Sequence, residues 1–200
     1  LAELFASQDA EKWDMSSVFV DKDDYVWLTG GIGTVRCSFD GEKLKVNGFW
    51  PVFMPIALSQ DNDGRVWIGS MGENIYYITP EDGQMHAQKI LSSHFTCTPY
   101  VLPLSDGKLL SASFQHGMNE IDAQENHVRQ ITIEESMWKD CIRRSVFVPS
   151  CMYQDETGIV WIGTVANGLL KFDPSTQSLE HIYGAPCLDI TSIEEDRHGN

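Results

Sequence analysis

The stretch Asp155-Glu-Thr-Gly-Ile-Val-Trp-Ile-Gly-Thr164 decides the fold, because the chain repeats it. The other copies are Asp61-Asn-Asp-Gly-Arg-Val-Trp-Ile-Gly-Ser70, the looser Asp21-Lys-Asp-Asp-Tyr-Val-Trp-Leu-Thr-Gly30, and Leu104-Ser-Asp-Gly-Lys-Leu-Leu-Ser-Ala-Ser113, which keeps the turn without the Trp. The anchor positions of the copies, Trp27, Trp67, Leu110 and Trp161, are separated by 40, 43 and 51 residues. Self-similarity at this spacing is typical of a propeller or another repeat array.

Each copy lies inside a unit that has the pattern of four short strands. An apolar run comes first, and an acidic turn follows in which a glycine, such as Gly64 or Gly158, takes the positive φ of a tight turn. The β-rich run Val-Trp-Ile-Gly ends where a glycine lets another backbone approach closely. An alternating strand and a more polar strand complete the unit, which predicts an antiparallel meander rather than a βαβ unit.

The repeat units span approximately residues 17–50, 56–92, 99–133 and 151–184, with a partial unit at 190–200 and an insertion at 134–150. A lone four-stranded meander leaves its apolar faces in water, and packing such sheets face to face around an axis buries them. The sequence therefore predicts an all-β fold, a β-propeller of four-stranded antiparallel blades. The first and last residues of the sequence fall in the middle of repeat units. We therefore predict about four blades with half-blades at both ends, as part of one larger, seven-bladed propeller domain.

The repeated Trp is predicted to fill the space between adjacent blades, as a large aromatic does in a core. Leu110 replaces it in the third unit, and packing tolerates that exchange whereas chemistry would not. We therefore interpret the anchor positions and the turn glycines as structural.

The charge of the chain excludes several classes of partner. Acidic residues outnumber basic ones by 29 to 14, which gives a formal net charge of −15. Phosphate contact requires a basic surface, so binding to nucleic acid is not expected, and anionic membranes are disfavoured for the same reason. The turn Asp61-Asn-Asp-Gly64 resembles half of a calcium loop, but the spaced ligands and the distal Glu are missing, so we expect no metal.

The sequence offers no catalytic motif. The Asp-box of sialidases, Ser-x-Asp-x-Gly-x-x-Trp, fails before Trp67, because Gln60 and Asn62 stand where Ser and Asp belong. The same mismatch recurs before Trp161, at Gln154 and Glu156. We predict no catalytic residue in this chain and no cofactor.

The five cysteines show no Cys-x-x-Cys spacing and no paired histidines, so zinc and redox motifs are not supported. Cys37 and Cys151 fall on apolar strand positions and are expected to act as small hydrophobic residues. Cys141 and Cys151 bracket the insertion, and a disulfide between them is left open.

Departures from the repeat are the candidates for ligand contact, because insertions in repeat units tend to map to one binding face. The insertion comes first, since sugars favour exposed aromatics with a few polar groups. The candidate ligand-binding residues are Trp138, Lys139, Arg143 and Arg144 in the insertion, His116 in the loop after the second strand of the third unit, Trp50, and His94.

The phrase Asp-x-x-Gly-x-Val-Trp-Ile-Gly-Thr, followed by Asn-Gly-Leu-x-x-Phe-Asp, resembles the two-component regulator propeller repeat, with its best copies at 155–173 and 61–78. The resemblance implies the periplasmic sensor region of a hybrid two-component regulator of Bacteroides-type bacteria. In that family a transmembrane helix leads to a histidine kinase, a receiver and a helix-turn-helix domain. The implied ligand is a small carbohydrate, the implied response is transcription of polysaccharide-utilisation genes, and a homodimer through the propellers is expected.

Three hypotheses follow for the function of the chain. The first is the extracytoplasmic sensor segment, which has no enzymatic activity of its own, with any kinase activity elsewhere in a membrane-anchored parent protein. The second is a carbohydrate-active propeller enzyme, a lyase or a glycosidase. The third is a protein-interaction scaffold of the WD type. Turnover of oligosaccharides would favour the second, and protein partners without saturable small-ligand binding would favour the third.

Overall fold

The computed structural model describes residues 14–31, 33–72, 74–79, 82–88, 98–114, 117–134, 147–184, 189–196 and 198. These residues form sixteen β-strands in four four-stranded sheets, and no helix occurs among them. The described ranges accordingly hold no helix with the length and hydropathy needed to cross a membrane. The predicted all-β fold of four-stranded antiparallel meanders is confirmed.

The strands follow one another along each sheet in chain order. The first sheet contains β1 (Met15–Val20), β2 (Val26–Gly30), β3 (Gly33–Phe39) and β4 (Leu44–Trp50), and the second contains β5 (Pro55–Gln60), β6 (Val66–Ser70), β7 (Ile75–Ile78) and β8 (Met85–Gln88). The third contains β9 (Tyr100–Pro103), β10 (Leu109–Ser113), β11 (Gly117–Asp122) and β12 (His127–Ile131), and the fourth contains β13 (Pro149–Gln154), β14 (Val160–Thr164), β15 (Leu169–Asp173) and β16 (Ser178–Ile182).

The described residues fall into two compact units, one up to Pro103 and one from Leu104 onwards. The first unit holds the first two sheets together with β9, and the second holds β10 to β16. That all repeats belong to one domain, and that the complete propeller has seven blades, stay predictions.

The turns between the first and second strands of the sheets share one backbone conformation. The N–H of the first turn residue donates to the carbonyl of the fifth, and the N–H of the fourth donates to the carbonyl of the first. The first residues are Asp21, Asp61, Leu104 and Asp155, and the fourth residues, all with positive φ, are Asp24 (63°), Gly64 (83°), Gly107 (87°) and Gly158 (90°). Glycine adopts this left-handed conformation without steric cost, which is why three of the four copies carry it.

The carboxylate of the first turn residue binds the anchor Trp six residues later. Its Oδ2 accepts the indole N–H at 2.6 Å in the pair Asp21–Trp27, 2.8 Å in Asp61–Trp67 and 2.8 Å in Asp155–Trp161. Its Oδ1 accepts the backbone N–H of the fifth turn residue at 2.9 to 3.0 Å in all three copies. Each Asp therefore ties the turn to the strand that follows it with charge-assisted hydrogen bonds.

The ionisation of Asp155 responds to this arrangement. Burial raises the pKa of Asp155, but hydrogen bonds from Thr157, Trp161 and Ile159 outweigh burial and place its pKa below the usual value. A carboxyl whose pKa is lowered on folding stabilises the fold above its unfolded pKa, and this stabilisation is lost as the pH falls through the folded value. The Asp155–Trp161 pair is thus strongest with the carboxylate of Asp155 ionised.

The third copy replaces both members of the pair together. Leu104 stands at the Asp position and Leu110 at the Trp position, with exposed fractions of 4% and 0%. A buried indole without the Asp would lose its acceptor, and a buried carboxylate without the indole would lose a donor, each at the cost of an unsatisfied polar group. Replacing both partners by apolar groups avoids that cost, so the two positions change as a unit.

A glutamine before the turn connects neighbouring repeats. Gln60 lies in the second repeat. Its Oε1 accepts the N–H of Lys22, in the first repeat, at 2.9 Å, and its amide donates to the carbonyl of Gly64 at 3.1 Å. Gln154, in the fourth repeat, makes the same two bonds. Its Oε1 accepts the N–H of Ser105, in the third repeat, at 2.8 Å, and its amide donates to the carbonyl of Gly158 at 2.9 Å. The positions that broke the Asp-box pattern therefore connect consecutive turns.

Gly69 is the penultimate residue of the anchor strand of the second sheet and allows a close backbone approach. A Cβ at this position would overlap the carbonyl oxygen of Pro99. The adjacent Ser70 donates its N–H to the carbonyl of Thr98 at 3.0 Å, which holds that segment in place. The close approach predicted from the Val-Trp-Ile-Gly pattern is confirmed here.

A double-mutant cycle tests the Asp–Trp pair, with variants Asp61→Leu, Trp67→Leu and the combination that copies the third repeat. We expect the double variant to be more stable than the sum of the single losses implies, by about 1–3 kcal/mol, because Asp61→Leu alone leaves the buried indole N–H of Trp67 without its acceptor. Urea denaturation followed by circular dichroism measures the free energies of unfolding. The control cycle combines Trp67→Leu with Asp63→Leu, whose side chain is 77% exposed, and should show no coupling. Additive losses in the first cycle would contradict the pair.

A second prediction concerns the backbone approach at Gly69. Gly69→Ala should lower the free energy of unfolding by about 1–3 kcal/mol or more, because the added methyl group meets fixed backbone. Gly31→Ala is the matched control, since a Cβ there has no neighbour within 4 Å, and its effect should stay within about 0.5 kcal/mol. Thermal melts of both variants measure the difference, and equal melting temperatures would rule out the close approach.

Candidate functional site

A cavity of about 440 Å³ lies between the first and second sheets, within the first unit. This volume falls in the range of about 300–1,000 Å³ that is usual for small-molecule sites. The first sheet contributes Asp21, Asp23, Tyr25, Trp27 and Arg36, and the second contributes Gln60, Gly64, Val66, Ile78 and Thr79. Since Asp23 is exposed, the cavity is open to solvent on its side.

The apolar part of the lining belongs to the core between the two sheets. Trp27 is 2% exposed and packs in one cluster with Val66, Ile68 and Ile78. The anchor of the first repeat therefore occupies the space between sheets. Trp67 and Leu110 are also buried, whereas Trp161 is half-buried.

Several polar side chains of the lining are already committed to the fold. Both carboxylate oxygens of Asp21 accept hydrogen bonds from the turn and from Trp27. Both polar atoms of Gln60 connect neighbouring turns, and the hydroxyl of Thr79 donates to Asp82. These groups shape the cavity, but their hydrogen-bonding capacity is largely used.

Arg36 differs from these residues, because aromatic rings hold its guanidinium. The Cζ atom lies 4.7 Å from the ring centroid of Tyr25 and 5.7 Å from that of Trp27, within the range of a cation–π interaction. The Nε–H group is buried and has no acceptor among the described residues. In the part of the chain that the structure describes, no carboxylate pairs with this guanidinium.

The second repeat shows the same contact with the residue types exchanged. There the cation, Arg65, is the fifth turn residue, and Tyr77 lies opposite the anchor on the third strand. The Cζ atom of Arg65 lies 5.7 Å from the ring of Trp67 and 5.8 Å from that of Tyr77. Because Arg65 is part of the acidic turn, it pairs with Asp61 at 2.7 Å and Asp63 at 3.0 Å.

The third repeat fills the equivalent positions with an ion pair. Nζ of Lys108 lies 3.1 Å from the carboxylate of Glu120, whose side chain is 6% exposed and also binds Arg129 at 2.8 Å. The hydrogen bond to Glu120 raises the pKa of Lys108. In the fourth repeat the two positions carry Ile159 and Lys171. The fifth turn residue and the residue opposite the anchor thus vary within a constant framework.

Trp50, a predicted ligand contact, packs against the cavity wall. Its ring stacks on Trp27 with 5.2 Å between centroids and 24° between planes, and its indole N–H donates to the carbonyl of Gly83 at 2.9 Å. A contact between Trp50 and a ligand stays a prediction. The remaining predicted ligand residues, Trp138, Lys139, Arg143, Arg144, His116 and His94, lie outside the described residues.

Metal and cysteine chemistry find little support in the described ranges. There, no group of three His, Cys, Asp or Glu side chains is placed to hold a metal ion. Cys37 and Cys151 are free thiols, and burial raises the pKa of both. Cys141 lies outside the described residues.

Sequence reasoning missed Tyr25 and Arg36 as site residues. No local signal singles out Arg36, because the equivalent third-strand position carries Tyr77 in the second repeat and another basic residue, Lys171, in the fourth. Without the strand register, Arg36 could not be placed opposite Trp27.

Four-stranded antiparallel meanders, with an anchor Trp buried between two neighbouring sheets, define the fold as a β-propeller. Two segments, residues 51–72 and 144–166, match the sequence profile of the family described as two component regulator propeller. No curated protein matches the sequence of the chain.

Solved structures show the same fold at low sequence identity. The extracellular domain assigned to a one component system of B. thetaiotaomicron aligns with a TM-score of 0.68 and 13% identity, over 92% of this chain and 24% of that chain. The extracellular domain assigned to a hybrid two component system of B. thetaiotaomicron aligns with a TM-score of 0.62 and 16% identity, over 93% of this chain and 26% of that chain. Virginiamycin B lyase from Staphylococcus aureus aligns with a TM-score of 0.63 and 16% identity, over 86% of this chain and 56% of that chain.

This chain therefore spans about a quarter of the length of the two extracellular domains and about half of the lyase.

Proposed function

We propose that the chain is part of the ligand-sensing propeller of a hybrid two-component regulator, on the extracytoplasmic side of the inner membrane. The repeat found at residues 51–72 and 144–166 is the observation that carries this proposal. The similarity to two extracellular domains of B. thetaiotaomicron regulators supports it at the level of the fold. The ligand is a small carbohydrate, and the response is the transcription of polysaccharide-utilisation genes.

The cavity between the first two sheets supports a role in binding. It has the volume of a small-molecule site, and its walls come from two sheets that meet at their strands and turns. A ligand bound there contacts both sheets at once, so its binding free energy favours one packing of the sheets over another. A homodimer of propellers, anchored through a transmembrane helix elsewhere in the parent protein, would transmit that preference.

The segment itself is proposed to be non-enzymatic. Asp21, the buried carboxylate of the cavity, is held by hydrogen bonds from two backbone N–H groups and an indole. Both oxygens of this carboxylate already accept hydrogen bonds within the fold, so the group is poorly placed to exchange a proton with a substrate. The kinase and DNA-binding activities belong to other parts of the parent protein.

A thermal-shift screen of the chain against neutral and acidic oligosaccharides tests the sensing proposal. A ligand present at about 100 times its dissociation constant should stabilise the fold by about 2.7 kcal/mol, because it binds only the folded state. The same mixtures, analysed by mass spectrometry after prolonged incubation, should contain the oligosaccharides unchanged. A screen without any saturable shift would count against carbohydrate sensing.

The second candidate function is a propeller lyase or glycosidase, and the similarity to virginiamycin B lyase is the observation that favours it. New products in the incubated mixtures would establish this function in place of sensing. The reading frame of the parent protein separates the two independently. A transmembrane segment followed by a kinase core or a helix-turn-helix supports the sensor, whereas a frame that ends after the propeller supports the enzyme.

A further inference from the structure

We infer that the cavity between the first two sheets binds its ligand through a carboxylate group held by Arg36. This inference deepens the proposed function and rests on it, because it takes the cavity as the ligand site of the sensor. The ligand class is a small monocarboxylate, either an acidic sugar or a simpler organic acid.

The comparison of Arg36 with Arg65 is the first argument. Both guanidinium groups lie over a Trp and a Tyr ring at similar distances. Arg65 is neutralised by two turn carboxylates, whereas Arg36 has no such partner among the described residues. In a chain of net charge −15, a half-buried arginine without an anion stands out, and it lines a cavity.

The strand register explains why the sheet supplies no anion to Arg36. On β3, Arg36 lies opposite Trp27 on one side and opposite Gly48 on the other. Gly48 has no side chain to offer, and the ring of Trp50 fills the space that its Cβ would need. The third repeat shows the contrast, because Glu120 at the equivalent strand position lies opposite Arg129 and binds it. The charge of Arg36 is therefore left for a partner from outside the sheet.

The chemistry of the guanidinium favours a carboxylate as that partner. Arginine presents parallel N–H donors that match the two oxygens of a carboxylate, and such charge-assisted pairs are about twice as strong as neutral hydrogen bonds. Tyr25 and Trp27 hold the guanidinium in place, so less side-chain entropy is lost when a ligand binds. A neutral sugar would accept from Arg36 without neutralising it.

The acidic surroundings limit the ligand to a single negative charge. Asp21 and Asp23 also line the cavity, and a doubly charged phosphate would meet more repulsion from them than a monocarboxylate. The distant negative charges of the chain matter less, because charges beyond about 8 Å are largely screened at physiological ionic strength. A direct contact with Arg36 therefore outweighs the net charge of the protein.

D-Glucuronate and D-glucose are the probes, since they share a ring and differ in the carboxylate. Isothermal titration calorimetry of the chain at matched ionic strength should show saturable binding of glucuronate and at least roughly tenfold weaker binding of glucose. Acetate serves as the third probe. Displacement of glucuronate by millimolar acetate assigns the site to simple carboxylates, and resistance to acetate assigns it to acidic sugars.

Three variants locate the binding. Arg36→Gln should raise the dissociation constant for glucuronate roughly tenfold or more, and Arg65→Gln, the matched arginine outside the cavity, should leave it unchanged. Asp23→Asn should lower the dissociation constant, because it removes a negative charge beside the carboxylate. Asp23 is exposed, so this variant decides the question even if Arg36→Gln does not fold.

Several outcomes would overturn the inference. Equal binding of glucose and glucuronate would do so, as would no binding of glucuronate and acetate at all. Unchanged glucuronate binding in a folded Arg36→Gln variant, or in Asp23→Asn where Arg36→Gln does not fold, would also do so. A neutral oligosaccharide that stabilises the chain regardless of Arg36 would remove the inference and leave the sensing proposal intact. Acetate binding at Arg36 without any effect of sugars would remove the proposal that the chain senses a carbohydrate and leave the carboxylate site at Arg36 intact.

Discussion

The hydrogen bond between the turn Asp and the anchor Trp is the interaction on which the rest of the structure depends. It joins a loop to the strand that follows, and it buries a large aromatic ring while satisfying its only polar group. Because the same carboxylate also accepts backbone N–H groups of the turn, the position of the strand and the shape of the turn are fixed together. The third repeat keeps the turn through backbone bonds and glycine alone, with two leucines in place of the pair.

A constant framework leaves neighbouring positions free to vary. The fifth turn residue and the residue opposite the anchor are brought together in each of the first three repeats, but as Tyr with Arg, Arg with Tyr, and Lys with Glu. The order within the pair matters physically, since Arg65 on the turn forms ion pairs with two turn carboxylates, whereas Arg36 on the third strand of the first sheet pairs with no carboxylate among the described residues. Exchanging Arg and Tyr between the turn and the third strand thus converts a contact whose charge is neutralised by the turn into one whose positive charge is available to a ligand.

The glutamines before the turns show how a failed motif can carry structural information. Gln60 and Gln154 excluded the Asp-box when the sequence was considered alone. In the structure each one bonds its own turn and the turn of the preceding repeat, so consecutive repeats are connected by side chains as well as by packing. Repeat proteins depend on such contacts between neighbours, because a single repeat cannot bury its own apolar faces.

The sequence by itself determined the sheets, because alternating apolar residues and turn glycines are local signals that recur in every unit. The alternating strand expected after each turn-and-anchor segment is present in the structure, for example as β7, β11 and β15. The pairing of Trp27 with Asp21 was also visible in principle, since Leu104 and Leu110 depart from the pattern together. Tertiary structure decided what the sequence could not: that Arg36 lies opposite Gly48, which has no side chain to offer it, and that the second sheet closes a cavity around it. Both depend on the register between strands and on the packing of one sheet against the next, which no local pattern encodes.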